Sequence, residues 1–152
     1  RYDFMSPKFI MRWPELGKQV RVGPVEHNQA IFDWFMTNLP TRCVQTETVV
    51  AGQSLFMLNL PMSKECNWIQ EESPLEDIVQ MNKGRFTFFM TTGNVANLSC
   101  KFDYVTEPME YVTWAEVIPE DKELLLEVGQ QLWENLMNEK KIVHVEFVAE
   151  EG

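Results

Sequence analysis

The 152-residue chain has few of the residues that build metal centres and disulfides. It contains two histidines, and its three cysteines, Cys43, Cys66 and Cys100, are odd in number and far apart, with no Cys-x-x-Cys pair. Structural zinc sites need about four Cys or His ligands, usually in closely spaced pairs. We therefore expect no bound metal, and the unpaired thiols favour a reducing, cytoplasmic location.

Long apolar runs and an excess of basic residues are also lacking. No stretch approaches the roughly 20 apolar residues needed to cross a bilayer, and no signal-peptide pattern is visible. The 13 Lys and Arg stand against 23 Asp and Glu, so the formal charge is -10. An averaged field of this sign repels nucleic-acid phosphates and anionic membrane surfaces. We predict that neither nucleic acid nor a membrane is a partner.

The signature motifs of several large enzyme classes are missing: there is no nucleophile elbow, P-loop, dinucleotide glycine fingerprint or zinc-protease helix. What the chain has in quantity is apolar surface, with 45% hydrophobic residues that include five Trp and ten Phe. Such a composition is typical of a globular protein rather than a disordered one. The length suits a single domain over residues 1–152, with one core.

Alternating patterns typical of β-strands dominate the chain. Strand-like runs cover 8–13, 18–22, 43–50, 53–58, 84–90, 95–102 and 142–148. Turn signals at 14–17 and 91–94 predict that the first two runs form one hairpin and that the runs around 91–94 form another. Residues 59–81 are expected to be mainly loop, with a short element near 75–79.

Two segments carry helical spacing, and they predict helices over 25–38 and 119–138. In the second helix, an i, i+4 series predicts a buried face made of Leu124, Val128, Leu132 and Leu136. Because strands and helices do not alternate regularly, a doubly wound parallel sheet is excluded. The predicted fold is mainly β, a closed barrel with two helices that the last strand seals.

Short motifs spread over most of the chain carry a family resemblance. They are Asn38-Leu39-Pro40 before the strand at 44–50, Ala51-Gly52-Gln53-Ser54, the run from Thr92 to Leu98, Thr106-Glu107-Pro108, and Val128-Gly129 with Trp133. In these motifs the chain resembles the bacterial cyclophilin-like family of uncharacterised proteins, and with it the N-terminal part of cucumopine and mikimopine (opine) synthases. The resemblance implies a cyclophilin-like closed barrel whose ends are capped by two helices.

Prolyl isomerases of this fold carry an Arg beside a Phe and a His, and later a Gln-Gly-Gly run. Here Arg42 follows Thr41, and Gln53 is followed by Ser54. We therefore do not expect prolyl isomerase activity.

The opine-synthase resemblance implies condensation of an amino acid, such as histidine, with a 2-oxo acid, followed by Pictet-Spengler ring closure. Such a reaction needs no redox cofactor, so we expect none. The partner would then be a small-molecule carboxylate. Two alternatives remain open: a non-catalytic module that binds a small molecule or a peptide, and a regulatory domain that binds through its acidic surface. A homodimer is also left open.

Candidate site residues follow from residue type and position. A carboxylate acts as general base when burial raises its pKa, and an Arg or Lys pairs with a substrate carboxylate. Lys101, Asp103, Tyr104 and Tyr111 follow the second hairpin closely, in what we expect to be a loop after Phe102. The predicted proton-handling residues are Glu47, Asp103, Tyr104 and Tyr111, and the predicted substrate-binding residues are Arg42, Gln53 and Lys101. Each also has a simpler interpretation as an ordinary surface residue.

Overall fold

The computed structural model of the protein describes residues 5–65, 74–91 and 94–151. In these residues ten strands form one antiparallel sheet. The strands are β1 Phe9–Trp13, β2 Lys18–Pro24, β3 Thr41–Val44, β4 Thr46–Glu47, β5 Gly52–Pro61, β6 Leu75–Asp77, β7 Arg85–Thr91, β8 Val95–Val105, β9 Glu110–Val117 and β10 His144–Ala149. The helices are α1 Gln29–Thr37 and α2 Lys122–Glu134, with short 3-10 turns at Pro14–Leu16 and Pro119–Asp121 and a π-helical turn at Asn135–Glu139.

The sheet closes on itself almost completely. Its strand order is β3-β10-β1-β2-β9-β7-β8-β5-β4, and β6 adds to β9 outside this path. The two end strands, β3 and β4, are separated in sequence by Gln45 alone, so the chain itself joins the two edges. The Thr41 hydroxyl also donates to the Pro61 carbonyl at 3.0 Å, which ties β3 to β5. The prediction of a mainly β barrel with two helices is confirmed.

An aromatic cluster fills the barrel. The Phe9 and Phe35 ring centroids lie 5.0 Å apart, and those of Phe35 and Trp114 lie 4.9 Å apart. Phe35 belongs to α1, which buries Ile31, Phe32 and Trp34 as well. Large rings in tilted contact contribute more buried apolar area per residue than any other side chains. The predicted first helix is therefore present, over a shorter span, and its aromatic face is part of the core.

The buried face of α2 differs from the predicted one. The structure buries Leu125, Val128, Gly129 and Leu132, whereas Leu124 and Leu136 are only partly buried. A strict i+4 series drifts around a helix that has 3.6 residues per turn, and an i, i+3, i+4, i+7 series follows one face. The prediction was wrong at Leu124 and Leu136 for this reason.

Two strand predictions also need correction. The run 43–50 divides at Gln45, whose side-chain carbonyl accepts a hydrogen bond from the Trp13 indole at 2.8 Å while its amide donates to the Thr46 carbonyl at 2.9 Å. The loop expected after Phe102 is instead the end of β8 followed by β9, which lies between β2 and β7 in the sheet. The hairpin of β7 and β8 is present, but its turn residues 92 and 93 lie outside the described residues, as do 66–73 of the predicted loop.

Gly129 gives a direct test of how α2 packs on the barrel. A Cβ atom at this position would lie 2.3 Å from two carbons of the buried Phe102 ring. Gly→Ala in a helix interior normally stabilises by about 1 kcal/mol. We expect Gly129→Ala to destabilise the fold instead, by about 1–3 kcal/mol, because the ring must move within a packed core. Urea denaturation of Gly129→Ala measures the change.

Gln130, which follows Gly129 and is exposed, supplies the control for this experiment. Gln130→Ala should change the unfolding free energy by less than about 0.5 kcal/mol. An unchanged or higher stability of Gly129→Ala would show that α2 does not rest on Phe102 in this way.

Candidate functional site

A cavity of about 660 Å³ lies on the face of β5, β7 and β8 that points away from the aromatic core. Alternation along the strands separates the two faces. Leu55, Met57, Leu98 and Cys100 are fully buried in the core. The residues that alternate with them face the other way: Ser54, Phe56, Asn97 and Ser99. A sheet face without cover would be solvated. Here the second face is covered, and the cavity lies under the cover.

The cover consists of the turn after β6 and the segment that leads into β9. Ile78 and Met81 from the turn pack with Ala51 and Val105 in a second, smaller apolar cluster, and Met109 and Tyr111 lie against it. β6 is held in place by its pairing with β9. These contacts keep apolar side chains over the polar residues of β8, which produces a cavity with mainly apolar walls.

Lys101 on β8 attaches this cover to the sheet. Its side-chain nitrogen donates to the backbone carbonyls of Ile78 at 3.0 Å, Val79 at 2.9 Å and Met81 at 2.8 Å. The residue is 4% exposed, and burial lowers the pKa of its ammonium group. An ammonium has three hydrogens to donate, so these three carbonyls use all of them. Lys101 is not among the residues that line the cavity.

Glu47 forms part of the cavity wall and is 7% exposed. Both of its carboxyl oxygens are buried, and neither has a hydrogen-bond partner among the described residues. Burial raises the pKa of Glu47 to about 8, since a low-dielectric environment disfavours the charged form. At neutral pH this carboxyl is mainly protonated, and a modest change in its surroundings is enough to ionise it.

Small polar residues of β7 and β8 complete the cavity floor. The hydroxyls of Thr87 and Ser99 are hydrogen-bonded at 2.5 Å, and the Asn97 side-chain carbonyl accepts from the Asn59 backbone N–H at 2.7 Å. Sequence reasoning missed these residues. The signal was present in the alternation of β8, where polar residues occupy every second position, but that pattern is equally typical of a solvated face.

Two of the predicted site residues, Glu47 and Tyr111, line this cavity together. The Tyr111 hydroxyl donates to the Met109 sulfur at 3.7 Å, a weak interaction that leaves its oxygen available to a ligand. Gln53 does not line the cavity, although its neighbour Ser54 does.

The expected cluster after the second hairpin is not formed. Because β8 continues to Val105, Asp103 and Tyr104 point to opposite faces. Asp103 pairs with Lys83 at 3.2 Å, and Tyr104 is 62% exposed. Arg42 lies on β3 opposite Glu146 of β10, among the residues of a separate surface depression. Roles for these residues in catalysis or binding stay predictions.

A structure of McbB in complex with tryptophan superposes with a TM-score of 0.74 at 20% sequence identity. The chain has the fold of part of McbB. The match covers 95% of this chain and 45% of McbB, so the chain spans less than half the length of that protein.

No protein-family model matches the chain, and neither does any curated protein sequence. The resemblance to the cyclophilin-like family and to opine synthases therefore stays a prediction. Within the described ranges, no helix is long and apolar enough to span a membrane. The same part of the chain has no group of three or more His, Cys, Asp or Glu side chains placed to hold a metal ion.

The raised pKa of Glu47 predicts a specific dependence of stability on pH. The folded state keeps a proton up to about pH 8 that the unfolded state releases near the ordinary value of 4.5. The stability that comes from this group is therefore complete below about pH 4.5 and is lost as the pH rises through about 8. The loss should be roughly 3–4 kcal/mol between pH 5 and pH 8.

Glu47→Gln removes the titrating group, so this decline should disappear from urea denaturation curves recorded across the pH range. The exposed Glu120 provides the control, because Glu120→Gln leaves Glu47 in place and should keep the decline. Parallel pH profiles for the parent protein and Glu47→Gln would contradict the buried, protonated state of Glu47.

The bonds of Lys101 predict a structural role that can be measured. Lys101→Met keeps the apolar stem but leaves three carbonyls without their donor, and each unsatisfied buried group costs roughly 1–3 kcal/mol. Since water can reach part of the turn, we expect a net loss of about 1–3 kcal/mol. Hydrogen exchange should show faster exchange at the N–H groups of Ile78 and Met81. Unchanged exchange there would mean that Lys101 does not hold the cover.

Proposed function

We propose that this protein joins an amine and a carbonyl compound inside the cavity, by a cofactor-independent condensation and ring closure of the Pictet-Spengler type. The observation that supports it best is Glu47, whose buried carboxyl has no hydrogen-bond partner among the described residues and a pKa raised to about 8, in the wall of a largely apolar cavity. In its most specific form, implied by the opine-synthase resemblance, the substrates are an amino acid such as histidine and a 2-oxo acid.

The first half of this reaction needs an acid. The amine nitrogen forms a bond to the carbonyl carbon and gives a carbinolamine, whose hydroxyl must leave as water. Glu47 in its protonated form donates a proton to that hydroxyl as the C–O bond breaks, which leaves an iminium cation beside the new carboxylate. An apolar cavity strengthens the attraction between these two opposite charges.

The second half needs a base. A nucleophilic ring carbon of the amine component bonds to the iminium carbon, and the same ring carbon then loses its hydrogen as a proton. The Glu47 carboxylate accepts this proton and returns to its starting form. The product contains all atoms of the two substrates less one water, and no oxidant or reductant takes part. A single group whose pKa is near the working pH can therefore serve both steps.

Access of Glu47 to the ligand requires a side-chain rotation. Its carboxyl oxygens lie covered in the wall, but they make no hydrogen bond with described residues, so a rotation breaks none. A ligand N–H would give the carboxyl its first partner. In this proposal the Tyr111 hydroxyl, which makes a weak hydrogen bond to the Met109 sulfur, donates instead to the carbonyl oxygen of the second substrate.

The structural comparison supports binding of a small molecule. McbB was solved in complex with tryptophan, an aromatic molecule that carries an amine, and the present chain has the fold of part of that protein. The alternative is a module that binds such a molecule without converting it. The cavity suits both, and the difference lies in whether Glu47 transfers protons.

Product analysis decides between them. The chain is incubated with pairs drawn from aromatic amines or amino acids and from aldehydes or 2-oxo acids, and mass spectrometry detects a cyclised product at the summed mass less one water. Glu47→Gln should lower the rate by about 100-fold or more, because general acid–base catalysis contributes 10²–10⁴-fold. Tyr111→Phe should lower it less.

Reactions without protein measure the background, and Glu120→Gln should match the parent chain. Ligand binding without any product above this background would favour the non-catalytic module.

A further inference from the structure

Positive charge is missing from the cavity lining as far as the structure describes it. Every lysine and arginine of the chain except Arg1 lies within the described residues, and none of these lines the cavity. Lys101 is the cation that β8 presents on this face, and its three hydrogens are bound to backbone carbonyls. β7 presents Arg85 on the same face, but carboxylates already pair with its guanidinium group. Its nitrogens lie 2.6 Å from a carboxyl oxygen of Glu26 and 2.8 Å from one of Glu76.

Negative or potentially negative groups are present instead. The ionisable side chains among the described lining residues are Glu47, in the wall, Glu107, which is exposed, and Tyr111. A ligand carboxylate would lose its hydration here without a cation among the described lining residues to replace it, and its charge would oppose the ionisation of Glu47. An ammonium or amine N–H would meet two acceptors. The charge arrangement therefore favours an amine over an acid.

Aromatic rings and sulfur atoms account for much of the remaining wall. Phe56, Phe89 and Tyr111 line the cavity, together with Met81 and Met109. Ring faces attract both aromatic ligands and cations, and methionine sulfur makes favourable contacts with rings. A volume of about 660 Å³ is in the range that holds a molecule of drug size. These walls suit a flat aromatic body.

We propose that the amine component is an arylalkylamine that lacks a carboxylate, rather than an α-amino acid. The proposal rests on the condensation proposed above, and for its amine component it replaces the amino acid that the opine-synthase resemblance implies. In this arrangement the aromatic body packs between the rings and methionines, and the amine pairs with Glu47. The side-chain amine thus meets the acid that the condensation requires, and the amine component brings no carboxylate into the cavity.

Three ligands that share one indole ring test the charge preference: tryptamine, tryptophan and indole-3-propionate. Isothermal titration of the parent chain should give tryptamine an affinity at least tenfold higher than that of tryptophan, and indole-3-propionate should bind weakest. Tryptophan binding as tightly as tryptamine would overturn the proposal. So would the absence of tryptamine binding.

Variants locate the preference within the cavity. Glu47→Gln should weaken tryptamine about tenfold, while Glu120→Gln, outside the cavity, should have no effect. Leu58 is a half-exposed lining residue, so Leu58→Arg adds a cation without disturbing the core. It should raise the affinity for tryptophan relative to tryptamine. If neither variant shifts the ratio of the two affinities, the cavity is not the site of discrimination and the proposal fails.

The same ligands separate this inference from the proposed function. Tight tryptamine binding without a cyclised product would leave the substrate class standing and remove the catalytic function. Cyclised product from tryptophan, at a rate equal to that from tryptamine, would leave the catalytic function standing and remove the substrate class.

Discussion

The buried ammonium of Lys101 is the interaction on which the candidate site depends. Its three hydrogen bonds to the carbonyls of Ile78, Val79 and Met81 hold a covering turn against the outside of the barrel. Burying a charge is costly unless charge-assisted hydrogen bonds replace its hydration, and three short bonds do so here. Without this cover, the polar face of β8 would be an ordinary solvated sheet surface, and the cavity would lose one of its walls.

The same interaction sets the electrostatics of the cavity. Because Lys101 directs its charge at the turn, Glu47 receives no compensating cation, and burial alone determines its pKa. A buried carboxyl without hydrogen bonds lowers stability, and a stable core would not require it. Buried polar groups without hydrogen-bond partners are expected mainly at functional sites. Glu47 is the lining residue that most clearly does so.

The sequence pattern was sufficient to predict the barrel, because strand alternation and turn residues act locally. The pattern was less reliable where contacts between distant residues determine the local structure. The β9 strand was missed because both of its faces are buried, as the full burial of Thr113 and Ala115 shows. A strand buried on both faces lacks the alternation of polar and apolar residues that marks a half-exposed strand. Glu47 and Tyr111 were predicted individually, but the covering turn that brings them to one cavity is held by Lys101, a long-range contact that no local pattern encodes.

A shared barrel does not determine which ligand it binds, since function depends on the side chains that a fold presents. In this protein the strand alternation separates two tasks: one face of β5, β7 and β8 fills the core, and the other lines the cavity. Rim positions such as Leu58 and Phe89 can therefore change charge without altering core packing. In the proposed reaction Glu47 supplies the proton chemistry, and we expect the charge at the rim to select between amines and amino acids. Under this proposal, a change of charge at the rim alters the preferred substrate and leaves the proton chemistry of Glu47 unchanged.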